Sequence, residues 1–131
     1  RNNKMPQEKF EAEVIAKAKE VANFEDEKLL KFAVGEICDR VSLYLNLPEK
    51  ADFDRRLVRI LANMTCGNFI KFESAANRTA ERAISSMSDN GQSVSYQNAA
   101  QSYFATAKDS EIFDGYVEIL KPYRRINVVS R

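Results

Sequence analysis

The sequence predicts an all-α fold, a small bundle of about four main helices near residues 7–22, 26–45, 54–72 and 110–121. Apolar residues recur at spacings of three and four in each of these stretches, none of them alternates as a strand would, and the three prolines, Pro6, Pro48 and Pro122, fall at helix boundaries. Two departures are expected: a β-hairpin-like extended segment, 84–98, between the third and last helices, and an extended tail after the last one. The chain therefore divides into a helical domain, 1–121, and a tail, 122–131.

Residues 1–5 are polar and are expected to be loose, and Pro6 suits a helix start because its missing N–H has no partner there in any case. Helix one carries the stripe Phe10, Val14, Ala18 and Val21, with charged residues on its other faces. Helix two, in the stretch 25–47, is the most strongly patterned part of the chain. Leu30, Val34, Ile37, Val41 and Tyr44 form one stripe. At about 100° per residue, Phe32 and Leu43 fall outside it, among charged residues. They are covered either by other helices of the chain or by another subunit. Gly35, Cys38 and Ser42 make a strip of small side chains open to close approach, so Phe32, Leu43, Gly35 and Ser42 are the candidate subunit interface.

Helix three begins near Asp52 or Asp54 and buries Leu57, Ile60, Leu61 and Met64, while Arg55, Arg56 and Arg59 stand on its far side. Such a stripe suits DNA, a neighbour's carboxylates or plain solvent. After Gly67 the pattern loosens into alanine-rich sequence, 73–83, whose alanines favour helix but bury little. In the serine-rich stretch that follows, Asn90-Gly91 is a type I′ hairpin signal, since both residues tolerate positive φ, and Val94 and Tyr96 alternate on the return flank. So apolar-poor a ribbon is marginal alone; the alternative is a surface loop. Residues 99–107 favour a short helix or turn around Tyr103 and Phe104. Asp109 then reads as the N-cap of a last helix burying Ile112, Phe113, Tyr116, Val117 and Leu120. In the tail, Tyr123, Arg124, Arg125, Ile126, Val128 and Val129 combine cations with strand formers that have no adjacent strand to pair with. That pattern predicts docking on a neighbouring protein, the alternative being a frayed end.

Twenty basic and nineteen acidic residues leave a net charge of +1, so no global basic field marks a nucleic-acid binder. With no histidine and no CxxC pair, neither a zinc site nor a histidine-based nucleophile is expected, and Cys38 and Cys66 read as reduced packing residues. No catalytic set, cofactor or metal is predicted. Without a long apolar run or a leader pattern, the chain is expected to be soluble, made in a cytoplasm and not membrane-bound. The glycosylation patterns at Asn63 and Asn77 lie in helical stretches and read as chance matches.

Four segments, DRVSLYLNLPE at the end of helix two, DRRLVRILANM in helix three, SDNGQSVSY, and EILKPYRRINVV near the tail, resemble the head–tail connector proteins of tailed bacteriophages, the gp6-like and gp15-like adaptor or head-completion group. Together they cover roughly residues 26–129. The resemblance implies a virion protein: a homo-oligomeric ring of about a dozen copies under the portal, enclosing the DNA channel and joining the head to a tail or stopper protein. It implies sequence-neutral proximity to the genome through Arg55, Arg56 and Arg59, and a tail that docks on the portal or on the adjacent adaptor subunit. The alternative, from another class, is a small helical DNA-binding regulator whose contact helix carries those three arginines.

Overall fold

The computed structural model describes the backbone of residues 3–83 and 92–125 and the side chains of 3–74 and 97–125. In chain order it contains β1 (Lys4–Met5), α1 (Gln7–Val21), α2 (Glu27–Tyr44), β2 (Phe53–Asp54), α3 (Leu57–Ala83), α4 (Gln92–Thr106), α5 (Asp109–Phe113) and α6 (Val117–Leu120). Single 3₁₀ turns span Asp114–Tyr116 and Lys121–Tyr123. This is the all-α bundle that the periodicity predicts.

Helix α2 touches α1, α3 and α4, and its composition explains why. Its buried residues Leu29, Leu30, Ala33, Val34, Ile37, Cys38 and Val41 cover an arc of about 180° at 100° per residue, too wide for one neighbour. Asp26 starts the helix, its carboxylate accepting the Leu29 N–H at 3.1 Å. Helix α1 lays Phe10, Val14 and Ala18, four residues apart, against α3, where the Cys66 thiol donates to the Ala18 carbonyl at 3.8 Å. Both cysteines are free and buried, and burial pushes both thiols up.

Four expectations need correction. Residues 3–5 are held in place: Met5 pairs antiparallel with Phe53 and Lys4 with Asp54, and both Met5 and Phe53 are buried, with Phe53 stacked on Phe10 at 4.5 Å. A two-residue ladder leaves no periodicity to read. Helix α3 runs on through the alanine-rich stretch to Ala83.

The return flank of the expected hairpin is helical instead, since α4 begins at Gln92. Ala100 and Phe104 are buried, and Tyr103 half-buried, with α4 set against α2 and α3, so helical packing overrides weak alternation. Asn90 and Gly91 lie outside the described residues, and Val94 and Tyr96 are on the α4 backbone.

The last helix is broken. Lys108, not Asp109, precedes α5, and Asp114 interrupts the run at φ 48° and ψ −122°, a conformation that costs a non-glycine residue about 1–3 kcal/mol.

A buried polar knot fastens α3 to the elements after it. Asn68, 2% exposed, donates to the carbonyls of Met64 and Ile112, both at 2.8 Å, and accepts the Tyr103 hydroxyl at 2.7 Å. Arg40, its side chain 15% exposed, makes a second link, donating to Asp109 Oδ1 at 2.8 Å and to the Phe104 carbonyl at 3.0 Å.

Asn68→Ala takes the partner from the Ile112 carbonyl and the Tyr103 hydroxyl, while the Met64 carbonyl keeps its helical N–H, and is expected to cost about 2 kcal/mol, seen as a thermal midpoint lower by roughly 8 °C; an unchanged midpoint would show the knot to be dispensable. Asp114→Gly relieves the backbone, at a cost of about 0.5–1 kcal/mol in chain entropy. Its expected effect is a net gain of about 1 kcal/mol in denaturant unfolding, and a lower midpoint would contradict the strain.

Candidate interaction site

The end of α2 organises the surface on which the sequence-predicted residues gather. A helix leaves its last four carbonyls without intrahelical partners. Here Asn46, at φ 61°, turns the chain into the left-handed region and the helix closes in a Schellman motif. The Asn46 N–H donates to the Leu43 carbonyl at 3.1 Å and the Leu47 N–H to the Ser42 carbonyl at 3.0 Å.

The remaining two carbonyls are taken by the far end of the chain. Arg124 Nε donates to the Tyr44 carbonyl at 2.9 Å, and the Arg125 N–H donates to the Leu45 carbonyl at 2.9 Å. Asn46 Nδ2 completes the clasp by donating to the Arg125 carbonyl at 2.9 Å. The Arg124 guanidinium also lies 4.9 Å from the centre of the Tyr44 ring, and Tyr44 in turn stands edge-on to Phe113 at 5.6 Å. Cations at this end also suit the negative pole of the helix.

A second contact joins the start of α3 to the same segment. Asp54 accepts from Arg56 through Nε at 3.1 Å, a terminal guanidinium nitrogen at 2.8 Å and the backbone N–H at 2.9 Å. So held, the Arg56 guanidinium sits 5.3 Å from the centre of the Tyr123 ring. The Arg56 hydrogen bonds hold the Asp54 carboxyl below the usual carboxylate range and raise the guanidinium in turn.

Tyr123, Arg124 and Arg125, expected in a free docking tail, are thus fastened to their own bundle. Ile126, Val128 and Val129 lie outside the described residues. Of the proposed interface pair, Phe32 is half-buried against the bundle's own core, whereas Leu43 is 78% exposed. Gly35 has open space where a Cβ would stand, so no backbone of the described fold approaches it closely, and Cys38 is buried.

Arg55 and Arg56 precede α3 rather than lie on it. Arg55 faces Glu13 at 3.9 Å, and Arg59 is exposed on the first turn of the helix. Arg40 and Asn68 escaped the sequence reading. For Asn68 there was a signal: it sits between Met64 and Phe72 at four-residue spacing, a polar residue on an apolar stripe.

Among the described residues no three His, Cys, Asp or Glu side chains group to hold a metal ion, and no helix is long and apolar enough to cross a membrane.

Acid should weaken the fold in a defined window. Asp54 is depressed by Arg56, and Asp26 by the Leu29 N–H and then by Gln97. An unfolded aspartate titrates near 3.9, so as pH falls below about 4 the unfolded chain binds protons before the folded one does. Stability is therefore fully present above about pH 5 and declines through the acid range. Asp54→Asn is expected to flatten the slope of denaturation midpoint against pH below about 4; an unaltered slope would contradict the Asp54–Arg56 contact. Compared with models of known protein families, with characterised proteins and with solved structures, the chain matches none.

Proposed function

We propose that this chain is a head–tail adaptor of a tailed bacteriophage, a structural virion protein that assembles as a ring under the portal, encloses the DNA channel and bridges the head to a tail or stopper protein. One observation carries the reading. Of the four segments on which the resemblance rests, the closing one, 118–129, lies more than fifty residues beyond 39–49 and 54–64, yet it reaches both at one end of the bundle. The end of α2 supplies Tyr44, Leu45 and Asn46, the turn before α3 supplies Arg56, and the closing motif supplies Tyr123, Arg124 and Arg125. Residues that carry a family likeness without any catalytic set, gathered on one surface, fit a protein whose work is contact.

Within the ring, Leu43 supplies the apolar subunit contact, beside Ser42, with the open Gly35 about two turns back along the same helix. Phe32, packed on its own core, takes a lesser part. The arginines serve the channel weakly: Arg55 and Arg56 already face carboxylates, which leaves Arg59 for passing phosphates, in keeping with DNA that must slide. The same pairing tells against a DNA-binding regulator built on these three residues.

Electron microscopy of the chain mixed with its cognate portal protein is expected to show a ring beneath the portal. Leu43→Ser should lose the ring while changing stability by no more than about 0.5 kcal/mol, as exposed substitutions generally do. Absence of a ring with the wild-type chain, together with a gel shift that weakens steeply with salt, would replace the adaptor with the regulator.

A further inference from the structure

At the opposite end of α2 an open cleft of about 690 Å³ is bounded by the α1–α2 connection, α3 and Gln97 of α4. Its floor is apolar: Phe24 stands edge-on to Phe69 at 5.1 Å, with Leu29 beside them. Its rim carries four carboxylates, Glu25, Asp26, Glu27 and Glu73, with Lys28 the one cation among the described lining residues; Glu27 is paired with Lys19 from α1, and Asp26 accepts from the Leu29 N–H and from Gln97. Such a cleft suits an extended segment with apolar side chains, at least one cation and no carboxylate side chain.

Residues 126–131, Ile-Asn-Val-Val-Ser-Arg, have that composition. They cannot bring it to their own cleft. Arg125 is fastened to Leu45, and Leu29, the nearest cleft residue along α2, is sixteen residues back, about 24 Å at 1.5 Å per residue. The apolar residues end at Val129, four residues past the anchor, which at full extension reach about 14 Å.

We propose that the cleft receives residues 126–131 of a second copy of this chain, Ile126, Val128 and Val129 packing on the half-buried Phe24 above the buried Leu29 and Phe69, and Arg131 meeting the carboxylate rim. The donor's segment leaves from one end of α2 and the acceptor's cleft opens at the other, so the contact is head-to-tail. It propagates from copy to copy and closes into a ring where the rotation between copies allows. Nothing in it requires a portal, so its failure and the failure of the adaptor reading are separate results.

Three forms of the full chain test it by sedimentation velocity, each first shown by circular dichroism to keep the wild-type helix content. The tail variant carries Ile126→Ser, Val128→Ser and Val129→Ser, and the cleft variant carries Glu25→Lys and Glu73→Lys. Wild type at high concentration is expected to form species larger than a dimer, and each variant alone to stay monomeric. An equimolar mixture of the two variants keeps one intact tail and one intact cleft, so it should reach twice the monomer mass and stop there. A monomeric wild type, a variant that associates alone as wild type does, or a mixture that stays monomeric would each overturn the proposal.

Discussion

The connection between α2 and α3 depends on contacts from both ends of the described chain. From one side Lys4 and Met5 pair with Asp54 and Phe53, and from the other Arg124 and Arg125 take the last carbonyls of α2 while Tyr123 lies under Arg56. The reason lies in α2 itself. A helix buried over about half its circumference holds three neighbours in place, but its polar ends still need partners. Asp26 caps its start, and at its end a Schellman turn on Asn46 satisfies two carbonyls and the distant Arg124–Arg125 segment two more. Residues 3–5 and 123–125 are thereby built into the same structure as the core.

How much of this was legible follows from the range of each interaction. Helices α1 and α2 read clearly because burial on a helix repeats every three or four residues, and Phe10, Val14 and Ala18 or Leu30, Val34 and Ile37 carry that repeat openly. Helix α4 did not read, because Ala100, Tyr103 and Phe104 are few and the residues before them alternate weakly; what makes the segment a helix is its packing on α2 and α3. The break at Asp114 was hidden because the apolar period runs on from Ile112 to Val117 across it. At the candidate site, Arg124 and Arg125 read from the sequence as contacts to a neighbouring protein, and no local pattern could reveal that they meet the carbonyls of Tyr44 and Leu45 of their own chain, about eighty residues away.

Polarity runs along the molecule as well. Carboxylates collect around the start of α2, in Glu25, Asp26 and Glu27, and the Arg124 guanidinium lies at its other end, each sign matching the adjacent pole of the helix. A net charge of +1 conceals this separation. Leu43 stands exposed between Ser42 and the clasp.

The fastening of the chain's far end to α2 can be measured directly by native-state hydrogen exchange at the Arg125 amide, whose N–H is given to the Leu45 carbonyl. If the clasp is an integral part of the fold, that amide exchanges slowly, and only through openings that also release the last turn of α2, so its protection falls together with that of Leu45 and Leu47. Exchange of Arg125 at the rate of an unstructured peptide, while the end of α2 stays protected, would show that the segment is not fastened and that α2 closes without it.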